Sequence, residues 1–171
     1  MDLVELLTEQ GISVIGQASD GEAAVRMAVE LAPDIVFLDI AMPNRDGLSA
    51  AAEIRSLRIA PVVMLTAFGQ REIAQQAASA GAMAYLVKPF VSSDLVTAME
   101  VASARWAELM DLEVRIQQRQ DVDQAKARLL QSTAMTESEA YAWLRRQAMD
   151  RRVTLAEFAS QFLTETAPRR G

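Results

Sequence analysis

Asp39, Thr66 and Lys88 are the side chains whose types and placement could do chemistry together, because each closes a short apolar run. Asp39 ends Ile35–Asp39, and a loop marked by Pro43 and Gly47 follows it. Thr66 ends Pro61–Thr66, and Lys88 directly follows Tyr85–Val87. A lone carboxylate at such a place can simply cap the next turn. Grouped with a hydroxyl and an ammonium, it can instead act as a nucleophile toward a phosphoryl group. That chemistry needs a cation on the phosphoryl oxygens, which Lys88 offers as a compact charge on a flexible stem. It needs a hydroxyl able to follow those oxygens, which Thr66 offers. It also needs a divalent cation to neutralise the incoming charge.

Composition removes the competing chemistries. The 171 residues include neither histidine nor cysteine, so imidazole and thiolate metal sites, disulfides and Ser-His or Cys-His catalytic pairs are excluded within the chain. No apolar run approaches the roughly 18–20 residues of a membrane span. The opening Met1-Asp2-Leu3-Val4-Glu5 has no basic signal-peptide start, which gives the expectation of a soluble, cytoplasmic protein. The net charge is −6, and it is unevenly spread: residues 1–100 carry −7, 101–119 carry 0, and 120–171 carry +1. This asymmetry predicts two domains with different partners.

The elements that must position the three side chains follow from periodicity. Short helices are expected over Asp2–Gln10, Glu22–Leu31, Gly47–Leu57 and Gln70–Ala80. Strands are expected over Ile12–Ala18, Ile35–Asp39, Pro61–Thr66 and Tyr85–Val87. Apolar strands alternating with amphipathic helices predict an α/β fold, a doubly wound parallel sheet covered on both faces. Functional groups in such sheets collect beyond the carboxyl ends of the strands, where Asp39, Thr66 and Lys88 fall.

From Ser92 the pattern turns helical throughout. Ser93–Ser132 reads as one long helix with apolar marks at Trp106, Leu109, Leu112, Ile116, Val122 and Leu129. The spacing fits either a helix packed on its own domain or the stem of a dimer. Thr136 with Glu139 predicts a capping box opening a helix over Glu137–Met149, and Thr154 caps another over Leu155–Leu163.

Residues 1–100 resemble the receiver domain of two-component response regulators. The resemblance rests on Asp39 with Met42-Pro43 and Asp46-Gly47, on Thr66-Ala67, and on Tyr85 with Lys88-Pro89-Phe90. It implies a flavodoxin-like sheet, Asp39 as phosphoacceptor, Thr66 and Tyr85 as a switch pair and Lys88 on the phosphoryl group. It further implies Mg²⁺ held by Asp39 and the backbone carbonyl of Ala41, a cis peptide before Pro89, and a sensor histidine kinase as partner. One departure matters. The family's first strand, ending in a pair of acidic residues that bind the metal, has no counterpart here, since Met1–Leu7 corresponds to the helix after it. This chain is therefore expected to bind Mg²⁺ weakly. The loss would also expose unpaired ladders in a domain of only about 5–15 kcal/mol stability. A start upstream of Met1, or a shortened form, is the expectation, with a degenerate receiver signalling by dimerisation as the alternative.

The tail resembles the ANTAR domain of transcription antitermination regulators, a small three-helix unit. The matching residues are Asp123-Gln124-Ala125-Lys126-Ala127, Glu139-Ala140-Tyr141, Leu144-Arg145 and Ala148-Met149, with Ala127 where the family usually has glycine. The resemblance implies a homodimer that binds paired RNA stem-loops. Lys126, Arg128, Arg145 and Arg146 would meet phosphates, Ala125 and Ala140 would allow close approach to a loop, and Tyr141 lies in the same motif. The organisation expected is a receiver over 1–100, a helical linker over 101–119 and ANTAR over 120–168. The function implied is a phosphorylation-gated RNA-binding antiterminator and not an enzyme. A DNA-binding response regulator, or a phosphorylation-independent dimerisation or docking module, is the alternative.

Overall fold

The computed structural model describes residues 3–67 and 79–165. The chain divides into two compact units, Met1–Glu108 and Leu109–Gly171. In the first unit the elements run α1 (Leu3–Glu9), α2 (Gly21–Leu31), β1 (Val36–Asp39), α3 (Gly47–Ser56), β2 (Val62–Thr66) and β3 (Ala84–Val87). The long helix α4 (Ser92–Ser132) starts in the first unit and ends in the second, which adds α5 (Glu137–Arg151) and α6 (Leu155–Glu165). The helix expected over Gln70–Ala80 falls, but for its last two residues, outside the described residues.

The three strands form a parallel sheet in the order β1-β2-β3. Val36 stands opposite Val62 and Asp39 opposite Leu65, while Thr66 stands opposite Val87. All five residues of β2 are buried, as a central parallel strand requires. Ala24, Val25 and Ala28 of α2 and Ala50, Ala51 and Ile54 of α3 pack with Leu38, Val62 and Met64 into one core. Small residues on both helices let them lie close together over the sheet.

The strand expected over Ile12–Ala18 is not formed. The segment is irregular, and Ile15 is 53% exposed. Alternating apolar residues make a strand only when a neighbour exchanges ladder hydrogen bonds with them. Among the described residues β1 pairs with β2 alone.

In the second unit Ala125, Leu129, Ala140, Leu144, Ala148, Phe158 and Ala159 form the core. Trp143, Phe158 and Phe162 close it with ring centroids 5.8–6.3 Å apart. The capping box at Thr136 and Glu139 is present, and an equivalent one stands at Thr154 and Glu157. The sequence carries the second signature too, Thr154-Leu155-Ala156-Glu157. The apolar marks of α4 are used differently along its length. Leu129 is buried and Val122 packs against the same core, but Leu112 and Ile116 are 54% and 50% exposed.

Candidate functional site

The sheet register brings the three chemical residues to one edge. Asp39 ends β1 opposite Leu65, Thr66 ends β2 one residue further, and Lys88 follows Val87, the partner of Thr66. The Lys88 amide donates to the Thr66 carbonyl at 2.8 Å, which carries the ladder to the lysine itself. The Lys88–Pro89 peptide is cis, as the receiver resemblance implies.

Lys88 Nζ lies 2.5 Å from Asp39 Oδ2, and the Ala41 amide donates to Asp39 Oδ1 at 3.2 Å. Both carboxylate oxygens are thus oriented, while the side chain stays 37% exposed and open to an incoming group. Thr66 is only 4% exposed, whereas Tyr85 of β3 is 52% exposed. The residues implied as a switch pair therefore sit in contrasting environments, one hydroxyl inside and one ring outside.

The loop after β1 is held from two sides. Gly47 comes so close to the end of β1 that a Cβ there would overlap the Asp39 carbonyl oxygen, and its amide donates to Ile40. Asp46 caps α3 by accepting from the Ser49 amide at 2.8 Å, and that bond with the Ser49 hydroxyl holds its carboxyl below the usual range. Asp20 caps α2 through the Ala23 amide, which likewise lowers its pKa, and accepts weakly from Asn44 in the loop. The Gly21 amide donates to the Arg45 carbonyl. This tie between the start of α2 and the Asp39 loop is not visible in residue spacing, because it joins residues 24 apart in sequence.

Mg²⁺ is typical of the receiver family, and a hard cation takes several oxygen ligands. Among the described residues no three acidic, histidine or cysteine side chains gather to hold a metal ion. Asp39 offers one carboxylate, with one oxygen already on Lys88. The residues described do not make a complete Mg²⁺ site.

The second unit sorts the residues expected to contact RNA into three groups. Ala125 and Ala140 are fully buried in its core, so their small size serves helix packing and not approach by a ligand. Arg128 donates to the Leu163 carbonyl at 3.1 Å in the last turn of α6, a favourable place for a cation. Lys126 is 19% exposed and lies 2.9 Å from Asp123 and 3.1 Å from Glu137, so the lysine expected to meet phosphates is instead enclosed by two carboxylates. Its hydrogen bond to Asp123, then that to Glu137, raises its pKa. Tyr141, Arg145 and Arg146 are exposed. Tyr141, Arg145 and the 68% exposed Met149 recur every four residues along one face of α5. Lys126, Glu137, Ser138 and Tyr141 line a shallow groove.

No described helix is long and apolar enough to cross a membrane. Residues 1–100 match the response regulator receiver domain, and residues 110–163 match the ANTAR domain. The transcriptional regulatory protein PdtaR of Mycobacterium tuberculosis is 48% identical over 170 residues, covering 95% of this chain and 83% of that protein. The chemotaxis protein CheY of Thermotoga maritima is 38% identical over 104 residues, 60% of this chain and 87% of its own. Among solved structures, the receiver domain of a modulated diguanylate cyclase from Desulfovibrio desulfuricans G20 matches with a TM-score of 0.56 at 31% identity, covering 61% of this chain and 84% of that one. The receiver domain of a putative NarL response regulator from Mycobacterium tuberculosis matches with the same TM-score, 0.56, at 32% identity, covering 59% of this chain and 83% of that one. A parallel sheet with an aspartate–lysine pair at its carboxyl edge, followed by a helical unit with its own core, is thus accounted for over nearly the whole chain: it belongs to the response regulators of two-component systems, with a receiver domain and an ANTAR domain.

Proposed function

We propose that the chain is a cytoplasmic RNA-binding antiterminator whose output is gated by phosphorylation of Asp39. A sensor histidine kinase is the natural donor. An Asp39 oxygen forms the new P–O bond as the donor's P–N bond breaks, and the imidazole leaves. Lys88, already 2.5 Å from Oδ2, then follows the charge onto the phosphoryl oxygens. The buried Thr66 hydroxyl moves with them and transmits the change. The part played in phosphoryl transfer is that of acceptor, and the output is binding, not catalysis.

For the output, the supporting observation is the exposed stripe of α5, where Tyr141 and Arg145 stand together with Arg146 beside them. An aromatic ring beside guanidinium groups suits unstacked bases and phosphates, the features that RNA loops present. The exposed Leu112 and Ile116, one helical turn apart on α4, support the reading of this segment as a dimer stem.

The test is an anisotropy titration of the full chain, with and without a phosphoryl donor, against hairpin RNA, single-stranded RNA and duplex DNA across salt. Preference for hairpin RNA, weakened in Arg145→Gln/Arg146→Gln with a shallower salt dependence, is the expected result. Preference for duplex DNA makes the protein a DNA-binding regulator. Binding to none of the three leaves the tail as a dimerisation or docking module.

A further inference from the structure

Lys126 sits where a phosphate-binding cation is expected, yet it is not available as one. Its ammonium is shared by Asp123 at 2.9 Å, one turn earlier on α4, and by Glu137 at 3.1 Å, the first residue of α5. Two carboxylates around one ammonium leave a net negative charge at the mouth of the groove that Lys126, Glu137, Ser138 and Tyr141 line. The exposures are unequal: the lysine side chain is 19% exposed and the Glu137 side chain 74%. The cation is therefore held in place by its surroundings, while the carboxylate that covers it stands in water and can swing away with little loss of contact.

We infer that Glu137 is an internal competitor for RNA phosphate, a carboxylate that occupies the Lys126 ammonium until a backbone phosphate displaces it, and so sets the affinity and salt dependence of RNA binding. The inference rests on the RNA-binding reading of the second unit and adds to it a residue of the opposite charge. Asp123 lies on the same helix as Lys126 and stays paired when Glu137 leaves, which keeps the ammonium aimed at the groove. Displacement exchanges one anion for another at Lys126. Salt weakens the internal pair as well as the phosphate contact, so the two effects partly cancel and this contact adds little to the salt slope. A lysine without the competitor contributes more, up to about 0.7–0.9 to the slope of log K against log salt.

The experiment is a double-mutant cycle on the full chain, with Glu137→Gln, Lys126→Gln and the pair, read by anisotropy against a synthetic tandem stem-loop RNA with randomised loops over a salt series. Circular dichroism checks the fold of each variant. The expected result is that Glu137→Gln binds about two- to five-fold tighter at low salt, the range of a surface ion pair, with a steeper salt slope. In the Lys126→Gln background the gain disappears, because no ammonium is left to release. A gain that persists there is a general effect of removing a negative charge and overturns the inference. So does Glu137→Gln binding with the parent's affinity and slope, which makes the ion pairs a tie between α4 and α5 only. If the parent and all variants fail to bind the RNA, it is the RNA-binding reading itself that falls.

Discussion

Lys88 Nζ stands 2.5 Å from Asp39 Oδ2 across 49 residues of sequence, at the carboxyl edge of a parallel sheet whose register aligns the two. Removing the lysine leaves the carboxylate without its cation, and removing the carboxylate leaves nothing to accept a phosphoryl group. Asp39→Asn is expected to abolish labelling by a small phosphoryl donor. Lys88→Met is expected to lower the stimulation of RNA binding more than the labelling, measured on the same samples. Equal labelling of Asp39→Asn and parent would move the acceptor elsewhere.

The 171-residue chain is expected to label slowly, with little response to added Mg²⁺, since Asp39 has no acidic cluster around it among the described residues. Robust Mg²⁺-dependent labelling of the chain as it stands would show that other groups complete the site.

Thr66→Ala should separate phosphorylation from output. The hydroxyl is buried at the end of β2 and follows the phosphoryl group without making the bond to it. Labelling should persist in part while the stimulation of RNA binding is lost. Full stimulation in the variant rules out Thr66 as the relay.

Gly47→Ala tests how the Asp39 loop is held. The added Cβ meets the Asp39 backbone oxygen, a group that cannot move away as a side-chain end could. A loss of about 1–3 kcal/mol or more is expected in urea unfolding of the first unit. A change well below that range would mean that the start of α3 shifts freely.

Ala140→Leu distinguishes packing from ligand contact in the second unit. Ala140 is 0% exposed, so the larger side chain should destabilise by roughly 1–3 kcal/mol, read as a lower thermal midpoint. An unchanged midpoint with weakened RNA binding would return Ala140 to the interface.

Acid should loosen the capping boxes. The Thr136 amide lowers the pKa of Glu139, and the Thr154 amide lowers that of Glu157, from an ordinary value of 4.5. A carboxyl whose folded pKa is depressed stabilises above its unfolded pKa, and that contribution is lost as pH falls through the folded one. Helical stability should therefore fall as pH drops below 4.5, and Glu139→Gln/Glu157→Gln should be less stable at neutral pH yet less sensitive to acid. The same acid sensitivity in both proteins would assign the loss to other groups.

Where local chemistry suffices, the sequence by itself determined the outcome. Apolar runs of strand length made β1, β2 and β3, and Thr136 and Thr154 with a glutamate three residues on started α5 and α6. The loop motif after Asp39 and the Lys88-Pro89 pair sufficed to name the receiver. Tertiary structure decided what depends on a neighbour. Ile12–Ala18 has the pattern of a strand but no ladder partner among the described residues, and a strand without a partner does not form. Ala125 and Ala140 read as surface residues of an RNA-binding motif but lie in the core, because helix packing uses small side chains for the same close approach. Lys126 reads as a free cation, and only the fold brings Glu137, eleven residues away, onto its ammonium. Charge is written in the sequence, but whether a charge is available depends on which opposite charge the fold places within hydrogen-bond reach.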